Sequence, residues 1–236
     1  MPAPRIWHSF IRFGYKHFYN RFAFTYDFVS ALVSRGDWRT WTAAALPFVR
    51  GPHILEVAFG TGNLQLDLHA AGFAPCGVDL SPYMVAITRR KLQARQLPLR
   101  LVRARAQQLP FPTGHFDSLV MTFPPGFITD ALVLAELRRV LAPAGHLIWV
   151  DIPYLYPRDP WSRFLNWAFH ITGGAAEPPA REVLETTARS DPSAPRLPAV
   201  AELLPRAGWS WQIVKTARRA GYIHVFIGTP TEVGLT

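Results

Sequence analysis

Between His53 and Asp151, short runs of apolar residues alternate along the chain with longer segments in which apolar residues recur every three or four positions. Short continuous runs are typical of strands buried on both faces, and the longer pattern is typical of amphipathic helices. Regular alternation of the two predicts a wound parallel sheet with helices on both faces. The predicted strands are HILEVA (53–58), APCGVDL (74–80), LRLVRA (99–104), FDSLVMTF (116–123) and HLIWVD (146–151).

The segments between these strands carry helix start and stop signals. Ser81 is a predicted N-cap and Pro82 a predicted first helical residue, and basic residues follow late in the same segment, where a helix dipole favours cations. The sequence APAG predicts the end of the helix that precedes the fifth strand. The predicted helices are NLQLDLHAAG (63–72), SPYMVAITRRKLQARQ (81–96) and ITDALVLAELRRVLAPAG (128–145).

The regular pattern ends after Asp151. Residues 152–200 are first aromatic and irregular, then rich in Pro, Ala and Ser, which predicts an inserted cap or loop. A helix at AVAELLPRAG (199–208) and two strands at WSWQIVKTARR (209–219) and GYIHVFIGT (221–229) are predicted to follow, with the two strands forming a hairpin at the edge of the sheet.

The N-terminal region predicts a basic, aromatic, amphipathic helix between Ile6 and Phe28. Such a helix can lie in a membrane interface, or its apolar face can pack on the sheet as a lid. The two interpretations are compatible if the lid opens toward a bilayer. The apolar positions that recur at three and four are Trp7, Phe10, Ile11, Tyr15, Phe18 and Phe22, with Arg12 and Lys16 on another side.

Composition narrows the possible partners and the compartment. The chain has 25 Lys and Arg against 16 Asp and Glu, a formal net charge of +9, which favours an anionic partner such as nucleic acid, an acidic membrane surface or an anionic substrate. Its one cysteine, Cys76, lies in an apolar run and allows no internal disulfide. No apolar run reaches the roughly 20 residues that a spanning helix needs, and no signal peptide is apparent. We therefore expect a cytoplasmic protein, with peripheral membrane contact as an option.

The sequence HILEVAFGTGN predicts a strand that runs into a glycine turn. A dinucleotide fingerprint needs a third glycine, where this chain has Gln65, and a Walker loop needs Gly-Lys-Ser/Thr, where Asn63 and Leu64 follow Gly62. Asp79 ends the next strand about 17 positions after Gly62, where an acid accepts hydrogen bonds from ribose hydroxyls in nucleoside-binding sheets. A nucleoside without phosphates fits this turn best.

Four motifs in order, LEVAFGTGN, GVDLS, LPFPTGHFDSLVMTF and LRRVLAPAGHLIWVD, resemble the class I S-adenosylmethionine-dependent methyltransferases, especially the menaquinone and ubiquinone biosynthesis branch. The resemblance covers Tyr19 to Asp151. It implies a Rossmann-like α/β fold, a doubly wound, mostly parallel seven-stranded sheet, in a single domain. In that domain, residues 1–50 would form a helical lid, 51–151 the cofactor-binding core, 152–200 the insert and 201–236 the C-terminal helix and hairpin.

The resemblance also assigns site residues, and S-adenosylmethionine as the cofactor. Glu56 and the turn would face its methionine part, and Asp79 would accept from the ribose hydroxyls. Structural alternatives are a helix-capping role for Glu56, a helix anchor for Asp79, core packing for Met84 and loop shaping for Pro124. No metal site is predicted. The full predicted set is Glu56, Ala58, Phe59, Gly60, Thr61, Gly62 and Asp79; Leu80, Met84, Ala106 and Gln107 along the adenine; and Thr122, Phe123 and Pro124 near the methyl group.

Two positions depart from the family pattern. Ala58 stands at the first glycine of the turn and is expected to be tolerated if its backbone dihedrals are ordinary. Arg105 stands where an acid often accepts from the adenine amino group, and arginine has no acceptor. Because of both departures, a non-catalytic binding protein remains an alternative.

The acceptor is predicted from the aromatic surface. TFPPGF resembles the loop of amine-directed nucleic acid methyltransferases, but Phe123 replaces its amide and Gly126 its aromatic residue, so we reject that function. Two aromatic segments, the N-terminal helix and WSRFLNWAFHI, favour a hydrophobic acceptor such as a quinone or lipid precursor. An RNA methyltransferase is the alternative that the charge supports. Candidate bases are His146, His170 and Tyr26, each with a structural alternative, so no catalytic residue is named.

Overall fold

The computed structural model describes residues 30–31, 34–124, 130–171 and 208–231, and these residues form one mixed sheet with helices on both faces. The sheet order is β3-β2-β1-β4-β5-β8-β6, with β7 on β8. Strands β1 to β5 run parallel, and β6 and β7 pair antiparallel with β8. The strands are β1 (Ile54–Val57), β2 (Cys76–Asp79), β3 (Leu101–Arg103), β4 (Phe116–Thr122), β5 (Leu141–Val150), β6 (Tyr154–Leu155), β7 (Trp209–Ala217) and β8 (Gly221–Pro230). The helices are α1 (Trp38–Thr42), followed by a 3₁₀ helix (Ala43–Phe48), α2 (Asn63–Ala70), α3 (Pro82–Gln93), α4 (Ala131–Val140) and α5 (Pro160–Ile171).

The central strands are buried on both faces, as their continuous apolar runs predict. All four residues of β1 are buried, and the side chains of successive residues point to opposite faces. On one face Leu55 and Val57 pack in a cluster with α4. On the other face Ile54 packs in a cluster with α1, the 3₁₀ helix, α2 and Leu165 of α5. The predicted α/β fold with two helical layers is confirmed.

The sheet has eight strands in the described part of the chain, where the sequence predicts seven. The additional strand, β6, pairs with Gly221 and Tyr222 of β8, on the edge that β5 uses further along. Strand β6 therefore occupies the same place beside β8 as β5 does, after a break in the strand that begins at Asp151. The predicted hairpin of two C-terminal strands is confirmed, since β7 pairs with β8 from Trp209 to Ala217.

Local capping explains where two helices begin. The Ser81 hydroxyl accepts from the Met84 N–H at 3.4 Å and Pro82 is the first residue of α3, as predicted. Helix α5 was not predicted, and it replaces part of the expected irregular insert. Asp159 Oδ1 accepts from the Ser162 N–H at 2.8 Å, and Pro160 follows Asp159 as the first helical residue, a start signal that the aromatic composition of this segment obscured.

The predicted stop of α4 at APAG is wrong. The helix ends at Val140, and Leu141 already pairs with Phe116 of β4, so residues 141–145 belong to β5.

In the described part of the chain, no helix is both long and apolar enough to span a bilayer. The predicted N-terminal helix with Tyr26, the insert beyond residue 171, the helix predicted at 199–208 up to residue 207, and the His170 side chain lie outside the described residues, as do Pro125 and Gly126.

Candidate functional site

The glycine turn connects the carboxyl end of β1 to α2 and contains three residues in the left-handed region. Gly60 has φ +56° and Gly62 has φ +75°, and Ala58 has φ +59°. The condition under which Ala58 was expected to be tolerated, ordinary backbone dihedrals, is therefore not met. The Ala58 N–H donates to the Val78 carbonyl of the neighbouring strand at 2.8 Å. Ala58 therefore has the left-handed conformation that glycine adopts readily, and a backbone hydrogen bond connects it to β2.

The two glycines have different surroundings. A Cβ at Gly62 would lie 2.3 Å from Thr88 Cγ2, because α3 passes close behind the turn. A Cβ at Gly60 would meet nothing within 4 Å, so the turn is open at Gly60. This open side permits the close approach of a ligand to the backbone, which the sequence predicts for the turn.

Asp79 links the turn to the helix that follows β2. Its Oδ2 accepts from the Gly60 N–H at 2.9 Å and its Oδ1 accepts from the Ser81 N–H at 2.8 Å. Burial raises the pKa of the Asp79 carboxyl above its usual value, although the bonds from Ser81 and Gly60 lower it. Asp79 thus anchors the start of α3, which is the structural role given above as its alternative. Each carboxylate oxygen still has a lone pair that can accept a hydrogen bond from a ribose hydroxyl.

Glu56 is a buried carboxyl at the same edge of the sheet. It is 1% exposed, and Gln65 Nε2 donates to its Oε2 at 2.8 Å. Burial raises the pKa of Glu56 to about 8, against the lowering effect of the Gln65 hydrogen bond. The partner of Glu56 is therefore the side chain of the residue that replaces the third glycine of a dinucleotide motif.

The hydrophobic residues predicted to touch the cofactor differ in accessibility. Phe59 and Met84 are both buried and pack on each other in a small cluster with Leu101. This is the core packing that was the alternative for Met84. Leu80 is 57% exposed beside Asp79, and so it offers an apolar surface that a planar base could reach. Thr61 is buried in the turn.

The segment after β3 lies where the adenine edge is predicted. Gln107 Nε2 donates to Asp130 Oδ2 at 3.1 Å, which ties this segment to the start of α4, while Ala106 packs against the core. Asp130 is also the N-cap of α4. Arg105 is exposed and forms an isolated antiparallel bridge with Gln108.

At the end of β4, Thr122, Phe123 and Pro124 are half-buried. Phe123 has φ +50°, and its N–H donates to the Val150 carbonyl at 2.9 Å. Its ring meets the Trp38 ring edge to face, with centroids 4.8 Å apart. The carboxyl ends of β4 and β5 are thus joined at a bend with an aromatic wall on one side.

Asp151, the residue directly after β5 at this edge, is not among the predicted site residues. Asp151 is 6% exposed, and within the described part of the chain its Oδ2 is buried without a hydrogen-bond partner. Burial raises the pKa of the Asp151 carboxyl to about 6, against a lowering bond from the Ile152 N–H. A carboxylate at the end of an apolar strand, as at Asp79, was the signal available in the sequence.

The candidate base His146 lies elsewhere. It pairs with Ser118 in the middle of the sheet, and its Nε2 lies 2.7 Å from the Phe48 carbonyl oxygen, to which it donates. Its contacts therefore support the structural alternative. Among the described residues, no group of three or more His, Cys, Asp and Glu could hold a metal ion.

Comparison with known proteins identifies relatives of this arrangement. Residues 54–145 match the family described as "Methyltransferase domain". The chain is 42% identical over 136 residues to a demethylmenaquinone methyltransferase of Thermus thermophilus, covering 54% of the chain and 61% of the relative. It is 32% identical over 180 residues to one of Symbiobacterium thermophilum, covering 72% of the chain and 68% of that relative. The chain thus spans less than two thirds of the first of these curated relatives.

The fold also resembles solved structures. A putative S-adenosyl-L-methionine-dependent methyltransferase from Methanococcus maripaludis superposes with a TM-score of 0.63 at 14% identity, over 92% of the chain and 96% of that structure. At this level of identity the similarity concerns the fold.

Proposed function

Because the chain belongs to the class I S-adenosylmethionine-dependent methyltransferases, we propose that it transfers a methyl group to a hydrophobic, quinone-like acceptor. The observation that carries the proposal is the pair of carboxylates, Asp79 and Asp151, at the ends of β2 and β5. The first accepts from the open glycine turn, and the second is buried directly after Val150, whose carbonyl accepts from the Phe123 N–H. The names of the curated relatives support a quinone-like acceptor.

The residues present fit the family's cofactor. The open backbone at Gly60 admits a close ligand, Asp79 retains acceptor capacity for ribose hydroxyls, and Leu80 offers an apolar surface beside it. Glu56 would face the methionine part. When bound, S-adenosylmethionine would supply an electrophilic methyl group, and its sulfonium sulfur would keep the electron pair of the broken carbon–sulfur bond and lose its positive charge.

The acceptor must lose a proton if a carbon or an oxygen is methylated. In the proposed reaction the Asp151 carboxylate would take the proton that the acceptor loses when it gains the methyl group. A base with a pKa of about 6 is largely ionised at neutral pH and still basic enough to accept a proton. The wall formed by Phe123 and Trp38 would orient an apolar ring and exclude water.

Two measurements test the proposal separately. The first is calorimetric titration with S-adenosylhomocysteine, comparing wild type with Asp79→Ala, which removes the acceptors of the Gly60 and Ser81 N–H groups. We expect saturable binding that weakens at least about tenfold in the variant. Arg105→Ala is the control, since its exposed side chain has no acceptor to lose.

The second measurement is transfer of a labelled methyl group to demethylated naphthoquinones and benzoquinones. Methylated product from these acceptors, and not from soluble polar amines, is the expected result. Cofactor binding without transfer to any quinone would overturn the proposed acceptor while leaving the nucleoside site intact. Absence of S-adenosylhomocysteine binding by wild type would overturn both.

A further inference from the structure

Helix α5 presents a row of exposed aromatic side chains, here called the aromatic ridge and defined as Trp161, Phe164 and Trp167. Their exposed fractions are 38%, 50% and 57%. The rings follow one another along the helix, with centroid distances of 5.7 Å between the first pair and 5.9 Å between the second. Three large aromatic rings exposed in one continuous row require an explanation, because single exposed apolar residues are common and contiguous ones are not.

The ridge is held outward by the contacts of the opposite face of α5. Leu165 is buried in the core cluster that includes Val150, and Ser162 is buried beside it. Asn166 Nδ2 donates to the Leu155 carbonyl at 2.8 Å, and the Leu155 N–H donates to Asn166 Oδ1 at 3.0 Å. The helix therefore cannot turn its rings inward without breaking its packing and two hydrogen bonds.

The surroundings of the ridge are basic. Arg163 lies on the exposed side of the helix, and Arg158 is exposed just before it, with its guanidinium 5.2 Å from the centre of the Tyr156 ring. Within the described part of the chain, neither arginine forms an ion pair. The nearby acid Asp159 is paired with Arg35 at 2.8 Å and also caps α5, so it does not neutralise these two charges.

A cleft of about 250 Å³ opens beside the first ring of the ridge. Trp161 lines it together with three arginines, Arg35, Arg158 and Arg219, and two aspartates, Asp37 and Asp159. Its charged groups sum to one positive charge, since three arginines face two aspartates. A cleft of this size and charge suits the phosphate of a lipid headgroup at the level where the rings would enter the interface.

We propose that the aromatic ridge and its arginines form a docking surface for an anionic phospholipid bilayer, with Trp161, Phe164 and Trp167 inserted at the headgroup level. Tryptophan and phenylalanine on one side of a helix with arginine beside them are the composition that partitions into a charged membrane interface. The net charge of +9 adds attraction over a longer range. The assignment rests on the contacts of α5 and does not depend on the acceptor proposed above.

The test is flotation of the full chain with vesicles of phosphatidylglycerol and phosphatidylcholine in equal parts, against vesicles of phosphatidylcholine alone. We expect binding to the anionic vesicles that weakens with salt. The double variant Phe164→Ser with Trp167→Ser should bind these vesicles at least about tenfold more weakly than wild type does. Its control, Leu99→Ser with Leu132→Ser, removes two side chains that are 44% and 68% exposed and lie off α5, and it should bind as wild type does.

A second pair of variants tests the charge and does not alter the ridge. Arg158→Gln with Arg163→Gln should weaken binding by roughly fivefold for each arginine. Arg89→Gln with Arg90→Gln makes the same change in net charge on exposed residues of α3, and it should have little effect. Thermal unfolding and S-adenosylhomocysteine titration confirm that each variant folds.

Four results would overturn the proposal. If wild type does not float with anionic vesicles, the chain has no such docking surface. If the ridge variants float as well as wild type does, any membrane contact lies elsewhere on the chain. Equal losses in the α3 variant would mean that net charge alone acts. A ridge variant that turns a dimer into a monomer would assign the ridge to contact between two copies instead.

Discussion

Replacement of Ala58 by glycine should stabilise the protein. Ala58 has φ +59°, and a non-glycine residue in the left-handed region costs ~1–2 kcal/mol. Glycine removes this strain but makes the unfolded chain more flexible, which costs ~0.4–1 kcal/mol. The expected net gain in the free energy of unfolding is about 0.5–1 kcal/mol, which raises the melting temperature by roughly 1–4 °C for a chain of this length.

The assay is equilibrium unfolding in urea, read as a higher midpoint with an unchanged slope. The matched control is Ala86→Gly, at an exposed position inside α3, where the same change should destabilise by ~1 kcal/mol because helical glycine is entropically unfavourable. Opposite signs for the two variants support the reasoning. If Ala58→Gly destabilises as much as Ala86→Gly does, the positive φ at Ala58 carries no strain and the argument is wrong.

Two further predictions concern buried carboxyls. The folded-state pKa of Glu56 is about 8 and its ordinary value is 4.5, so between these pH values the folded state binds more protons than the unfolded state. The free energy of unfolding should therefore fall as pH rises through this window, by at most ~1.4 kcal/mol per pH unit relative to Glu56→Gln. Urea unfolding measured across this pH range checks it, and parallel curves for the two proteins would refute it. For Asp151→Asn, we expect kcat to fall by roughly 10²–10⁴-fold with unchanged S-adenosylhomocysteine affinity, and the rise in rate near pH 6 to disappear. An unchanged pH–rate profile would exclude Asp151 as the base.

Much of the core was predictable because its signals are local. Buried strands such as β1 need continuous apolar residues when helices cover both faces, and the N-cap at Ser81 depends on residues within one helical turn. The position of Asp79 beside the glycine turn also follows from sequence order, because parallel neighbouring strands end at the same edge of the sheet.

Other predictions depended on distant residues and were incomplete or wrong for that reason. Helix α4 ends at Val140 because Leu141 pairs with Phe116 in another strand, and an intrinsic stop signal cannot report such a pairing. Helix α5 has a clear start at Asp159, but only its packing through Leu165 shows which of its aromatic residues remain exposed.

By itself, therefore, the sequence determined the α/β architecture and the glycine turn, because each follows from periodicity and residue type over short stretches. Tertiary structure alone decided the left-handed conformation of Ala58, the burial of Asp151 and the outward row of rings on α5. Each of these depends on which distant backbone or side chain lies nearby, and that proximity arises only when the chain is folded.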